Sequence, residues 1–183
     1  MKSTKQIHQP VIDACKNNDA KAQMQLYDLY CVAMFAISCR YIKDKEEAKD
    51  VMQDGFLKAF LNLKNYTRET NFSAWLKKII INTCLDNLKK KKLETISLEK
   101  YPLELIDDED WNFDEQISKE LICKTIEDLP IKYQIITKLY LMEGYDHQEI
   151  SEIVNVPIKT SRTQLRRAKM MLKEQLKSKK YGT

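Results

Sequence analysis

Cations are the side chains best placed for chemistry in this sequence. Lys159, Arg162, Arg166, Arg167, Lys169 and Lys173 fall between Ile153 and Lys173 with no acid among them, although the whole chain carries 31 Lys+Arg against 27 Asp+Glu. A solvated helix face normally interleaves Glu with Lys at i,i+4 spacing. That interleaving is missing here, so the counter-charges are expected on a polyanion outside the chain. Arg brings a planar fork that matches the outer edge of guanine, and Thr can meet a thymine methyl or a phosphate. Together on one helix they suit readout of duplex DNA.

Covalent catalysis finds few tools. Histidine occurs only as His8, in what reads as an N-terminal tail, and His147, in the first turn of a helix, and neither sits at metal-ligand spacing. The sequence has no Gly-rich phosphate loop and no nucleophile motif. Cys15, Cys31, Cys39, Cys84 and Cys123 are odd in number and include no CxxC pair. They read as small buried hydrophobes rather than disulfide partners or zinc ligands. The expectation is a non-catalytic protein, with no metal and no cofactor.

The cations need a scaffold that aims them. DHQEISEIVNVPIKTSRTQL has the form of a helix-turn-helix. Asp146 caps the first helix with Glu149 reaching back, Ile150, Ile153 and Val154 form its inner side, and Pro157 opens the second helix after a tight turn. With Leu165 at the middle of the buried side and about 100° per residue, Ser161, Ala168, Leu172 and Leu176 turn inward. Lys159, Thr160, Thr163, Arg166 and Arg167 then face outward, with Arg162 on the flank, as a helix seated in a major groove requires.

Upstream, Leu26, Leu29, Tyr30, Ala33, Met34, Ile37 and Tyr41 recur at helical spacing and predict a long first helix. Asp44 and Glu47 make a capping box for a second, whose Ala48, Val51, Met52, Phe56, Ala59, Phe60 and Leu63 face inward. A further stripe on that helix runs through Glu47, Asp50, Asp54, Leu57 and Leu61, with Gln53 at its centre. Two readings stand: a surface for a basic, partly apolar helix of another protein, or core leucines behind acids that complement the helix dipole. The loop KNYTRETNF leads into a third helix, SAWLKKIIINTCLDNLKKKK. Its closing lysines either complement the negative helix pole or track phosphates.

From Leu93 to Asp114 the periodicity fails, around Pro102 and the acidic run DDED. Residues 1–93 hold 17 Lys+Arg against 10 Asp+Glu, a balance of +7; residues 94–120 hold 2 against 10, or −8; residues 121–183 hold 12 against 7, or +5. The pattern predicts an all-α fold of two small helical domains, 1–93 and 115–183, joined by an acidic linker at 94–114. Four helices are expected in the C-terminal domain, roughly 115–128, 131–142, 147–154 and 158–178, the last two forming the helix-turn-helix. No apolar stretch approaches the ~20 residues of a membrane span, and the N-terminus lacks the apolar core of a signal peptide. A cytoplasmic protein without membrane insertion is expected.

In this order, RYIKDKEEAKDVMQDGFLKAF, FSAWLKKIIINTCLDNLKKKK and LPIKYQIITKLYLMEGYDHQEISEIVNVPIKTSRTQLRRAK resemble the extracytoplasmic-function (ECF) sigma factors of bacterial RNA polymerase, across nearly the whole chain. The resemblance implies a specificity subunit whose N-terminal domain docks on core polymerase and engages the promoter −10 element. The C-terminal helix-turn-helix would read the −35 element. Asp50, Gln53, Asp54 and Phe56 match the family's DxxQExF signature, whose helix contacts the clamp coiled coil of the largest polymerase subunits, and Leu57 extends that surface. Gly55 departs from the pattern, at a cost to the helix of about 1 kcal/mol relative to Ala.

By the same resemblance, the loop Asn65 to Asn71 and the helix after it capture the −10 strand. Tyr66, Arg68 and Asn71 become base contacts, and Lys78 and Asn82 share a polar stripe with Lys89. Phe72 and Trp75 read as core rather than stacking platforms. Melting would need no ATP, because cations on the backbone and a pocket for one extruded base offset the unstacking cost. Arg162, Thr163, Arg166 and Arg167 align with −35 contacts, and Lys159 and Thr160 share their face. Gln164 replaces a frequent Arg, which leaves the DNA sequence open.

The implied partners are core RNA polymerase, promoter DNA and, as is common in the family, an anti-sigma protein. The chain would be a monomer outside the holoenzyme and nucleoid-associated within it. The rival reading is a stand-alone transcriptional regulator, which would bind DNA by itself, usually as a dimer on a palindrome. A sigma factor instead binds free DNA weakly and gains promoter specificity only on core polymerase.

Overall fold

A computed structural model describes residues 8–67, 69–92 and 117–181. They form eight α-helices and no β-strand among the described residues. The chain divides into two compact units, Met1–Ser97 and Leu98–Thr183. The acidic stretch expected to link them, with Pro102, Trp111 and Phe113, lies outside the described residues.

The N-terminal unit opens with a helix where a tail was expected. α1 spans Gln9–Lys16, with Pro10 in its first turn, where a missing N–H costs nothing, and Ile12 and Cys15 buried. Asn18 turns the chain at φ 60°, and Asp19 caps α2 (Ala20–Tyr41) by accepting from the amides of Lys21 and Ala22 at 2.9 and 3.1 Å. Leu26, Met34, Ile37 and Tyr41 are buried as the periodicity requires. Leu29 and Ala33 are exposed, so the buried stripe is narrower than the sequence pattern drew it.

α3 (Lys45–Asn62) starts at Asp44, which accepts from the Glu47 amide at 2.8 Å. The Glu47 carboxylate pairs with Lys91 of α4 (Phe72–Lys92) at 2.6 Å, tying the start of one helix to the end of the other. Ala48, Val51, Met52, Phe56, Ala59 and Leu63 line the core with Leu76, Ile80, Ile81, Cys84 and Leu85 from α4. Each fully buried aliphatic side chain here stabilises the fold by about 1.5–3 kcal/mol. Burial pushes the Cys84 thiol up to about 11, so it stays protonated as an inert core atom. Cys15 is buried too, Cys31 and Cys39 are half-buried, and Cys123 is exposed, which departs from the expectation that all five are core.

The C-terminal unit holds α5 (Lys119–Glu127), α6 (Ile131–Thr137), α7 (His147–Val154) and α8 (Ile158–Tyr181). Its core includes Ile126, Leu129, Tyr133, Ala168 and Leu172. Gln134 clamps the α5–α6 turn, its amide nitrogen donating to the carbonyls of Glu127 and Leu129, each at 2.7 Å. The sequence predicts one helix over 131–142. In the structure its last part, Lys138–Met142, widens into a π-helix before Gly144 turns the chain at φ 76°. Among the described residues no helix is long and apolar enough to cross a membrane, and no cluster of His, Cys, Asp and Glu could hold a metal ion.

Candidate nucleic-acid and partner surfaces

The helix-turn-helix is built by local bonds that the sequence announces. Asp146 accepts from the Glu149 amide at 2.8 Å while the Glu149 carboxylate accepts from the Asp146 amide at 2.9 Å, closing the capping box of α7. Asn155 ends α7 in the left-handed region, at φ 54° and ψ 55°. The Ser151 hydroxyl then donates to the Val156 carbonyl at 2.7 Å, and the Val156 amide to the Ser151 carbonyl at 3.1 Å. The turn is thereby held at both polar groups of Val156. Buried Ser161 of α8 meets Nδ1 of His147 at 2.9 Å, and the imidazole stacks on Tyr140 with centroids 5.1 Å apart. His147 is therefore a joint between α7 and α8.

On α8, Ser161, Leu165, Ala168, Leu172 and Leu176 are all buried, so the helical phase drawn from the sequence holds. Lys159 and Arg162 are exposed, and Thr160, Thr163, Arg166 and Arg167 are half-buried. Arg162, expected on the flank, is exposed, and Arg166, expected to face outward, is half-buried, with its Nη2 buried and without a hydrogen-bond partner. Taking part of a guanidinium out of water leaves less of it for a DNA edge. The Thr163 hydroxyl donates to the Lys159 carbonyl at 2.9 Å, so its one proton is committed to its own helix.

The second surface lies on α3. Asp50, Gln53, Asp54, Leu57 and Leu61 are exposed, Leu57 at 61% and Leu61 at 83%, so the leucines are not core. Acids at the helix start and bare leucines further along form one face that the N-terminal unit leaves uncovered. Phe56 corrects the signature-based assignment. It is 3% exposed and packs on Tyr27 and Phe60, with centroids 4.8 and 6.1 Å away, so it lies in the core beneath the exposed face of the helix.

In the loop before α4, Tyr66 is also corrected. It is 3% exposed, with its ring against Phe72 and Trp75 at 5.4 and 5.3 Å, and its hydroxyl donates to the Thr70 carbonyl at 2.8 Å. A ring that fills the core cannot also stack on a base. Arg68 lies outside the described residues. Asn71 is exposed and caps α4, its Oδ1 accepting from the Ser73 amide and hydroxyl at 3.1 and 3.2 Å, which leaves its amide nitrogen to offer a ligand. Lys78 is exposed and Asn82 half-buried, one turn apart on α4. Phe72 is core, as read, and Trp75 is half-buried.

One residue escaped the sequence reading. Lys16, at the end of α1, donates from Nζ to the Tyr66 carbonyl at 2.9 Å. The helix that carries it was signalled in QPVIDACK, where a Pro in the first turn precedes Ile12 and Cys15 at helical spacing, but the long-range bond was not.

Comparison with known proteins matches two family models in chain order: Sigma-70 region 2 over residues 26–94 and Sigma-70, region 4 over residues 119–172. The chain is 29% identical over 178 residues to the ECF RNA polymerase sigma factor SigW of Bacillus subtilis, covering 91% of this chain and 95% of that one. It is 27% identical over 179 residues to the ECF RNA polymerase sigma-E factor of Haemophilus influenzae, covering 92% and 94%. Among solved structures, the sigma factor RpoE of Bartonella quintana, in complex with the anti-sigma factor NepR, shares its fold with a TM-score of 0.57 at 21% identity, covering 84% of this chain and 96% of that one. CnrH, in complex with the cytosolic domain of CnrY, gives a TM-score of 0.55 at 17% identity, covering 92% and 96%. With both sigma regions matched in order and the helix-turn-helix built as that order requires, the chain belongs to the ECF group of the sigma-70 family.

Proposed function

We propose that the chain directs RNA polymerase to promoters by gripping DNA at two separate places while docked on the core enzyme through α3. The observation that carries this is the outer face of α8. Lys159 and Arg162 stand exposed in its first two turns, no acid precedes Glu174 on that helix, and a doubly bonded turn presents it. That is the part of a helix-turn-helix that enters a major groove, and Arg162 carries the fork that reads guanine in the −35 duplex.

In the N-terminal unit, Asn71, Lys78 and Asn82 supply an amide donor, a cation and a second amide for the unwound −10 strand. Strand capture shifts the duplex toward its open form without nucleotide hydrolysis, so the chain works as a binding subunit and not as an enzyme. Asp50, Gln53, Asp54, Leu57 and Leu61 form the docking face for the clamp coiled coil of the largest polymerase subunit, the acids steering a basic helix and the leucines burying against it. An anti-sigma protein is a further partner of this reading, supported by the RpoE of Bartonella quintana, which was solved in complex with the anti-sigma factor NepR.

In-vitro transcription with purified core polymerase on a genomic template, with start sites mapped, tests the proposal. Discrete starts that depend on the added chain are expected. Starts unchanged by its addition would refute it, and tight binding of the isolated chain to palindromic DNA as a dimer would favour a stand-alone regulator.

A further inference from the structure

Tyr66 is a hub whose bonds run to three different elements. Its amide donates to the Leu63 carbonyl at 3.1 Å, its hydroxyl to the Thr70 carbonyl at 2.8 Å, and its own carbonyl accepts from Lys16 at 2.9 Å. The Lys16 ammonium also lies 5.6 Å from the centre of the Tyr66 ring. A half-buried cation 50 positions upstream therefore fixes the residue from which the strand-capturing loop departs.

The other end of α1 supports the same platform. The His8 ring sits edge-on to Tyr30 at 5.7 Å, and Tyr30 sits edge-on to Phe72 at 5.3 Å. Phe72 in turn packs on Tyr66 and follows Asn71, the α4 cap. α1 thus braces the loop base at both of its ends, although it lies upstream of the segment matched to Sigma-70 region 2, which begins at residue 26.

We propose that Lys16 is a positioning residue for promoter melting: through Tyr66 it holds Thr70 and Asn71 in the arrangement that receives the extruded −10 base. The inference rests on the strand capture proposed above. Its physical basis is preorganisation. Polar groups that are already aimed lose little freedom when a base arrives, whereas a slack loop must be ordered by the base itself and distinguishes bases poorly.

The test uses reconstituted holoenzyme on a promoter found by start-site mapping, and on the same promoter with single base substitutions in its −10 element. Lys16→Met keeps the length and apolar stem of the side chain and removes the charge and the donor. It is expected to unfold in one cooperative transition at a modestly lower thermal midpoint, and to co-purify with core polymerase as wild type does. Its discrimination between the native and substituted −10 elements, read by permanganate reactivity of the opened strand, is expected to fall about tenfold. Lys16→Arg is expected to restore most of it.

Tyr66→Phe, which removes the hydroxyl and with it the bond to Thr70, is expected to lose discrimination in the same direction, and it carries the test should Lys16→Met not fold. Undiminished discrimination in these variants overturns the proposal, as does a uniform loss across all −10 sequences, which would make Lys16 a phosphate contact. Wild-type holoenzyme that opens no promoter would defeat the proposed function itself, a result distinguishable from either.

Discussion

Gly55 of α3 lies against Ile80 of α4 so closely that a Cβ at position 55 would stand 2.5 Å from Ile80 Cδ1 and 3.4 Å from its Cα. Beside the family pattern this glycine reads as a weak point in α3. The contact gives it a reason, since it lets α3 and α4 approach while Ile80 stays fully buried.

Gly55→Ala is therefore expected to destabilise the protein. The helix gains about 1 kcal/mol from alanine, but crowding a packed core costs about 1–3 kcal/mol, for a net loss of roughly 1 kcal/mol. Ile80→Val removes the crowded methyl group, so in that background Gly55→Ala is expected to be neutral or stabilising. Denaturant unfolding of the four proteins measures the coupling, and additive effects would show that the two positions do not crowd each other.

On the exposed face of α3, replacing Asp50 and Asp54 together by Lys is expected to abolish co-purification with core polymerase. Leu57→Ser and Leu61→Ser are expected to weaken it as well. All four side chains are exposed, so stability should move by no more than about 0.5 kcal/mol per substitution. Retained polymerase binding in the double Lys variant would return this face to plain solvent.

Arg162 and Arg166 are expected to separate DNA readout from packing on α8. Arg162 is exposed, and its replacement by Ala is expected to cost ~1–3 kcal/mol of base discrimination, about tenfold or more in preference among −35 variants. Arg166 has a buried, unpartnered Nη2, so Arg166→Ala is expected to change −35 preference less than about threefold. Transcription from a panel of −35 variants compares them; equal losses would place both guanidinium groups on the DNA.

Legibility in the sequence followed the range of the interaction concerned. The capping box of Asp146 and Glu149, the turn at Asn155 and the inward set Ser161, Leu165, Ala168, Leu172 and Leu176 depend on residues within a few positions of one another. Each was readable from spacing. The exposed stripe of α3 was visible as a pattern, but whether Leu57 and Leu61 were core or surface depended on which face α4 covers. Phe56 and Tyr66 matched motif positions and proved to be interior, because a motif records residue type and not the side from which a helix or loop is approached.

By itself the sequence determined the helical fold class, the helix-turn-helix and its phase, and the cationic surplus that calls for DNA, since these follow from periodicity, caps and charge along the chain. Only the tertiary structure decided where α1 packs, that Lys16 reaches Tyr66, that Gly55 seats Ile80 and that Nη2 of Arg166 is buried. Those relations join residues far apart in sequence or depend on what a neighbouring element leaves uncovered. Packing sets them, and no local pattern encodes it.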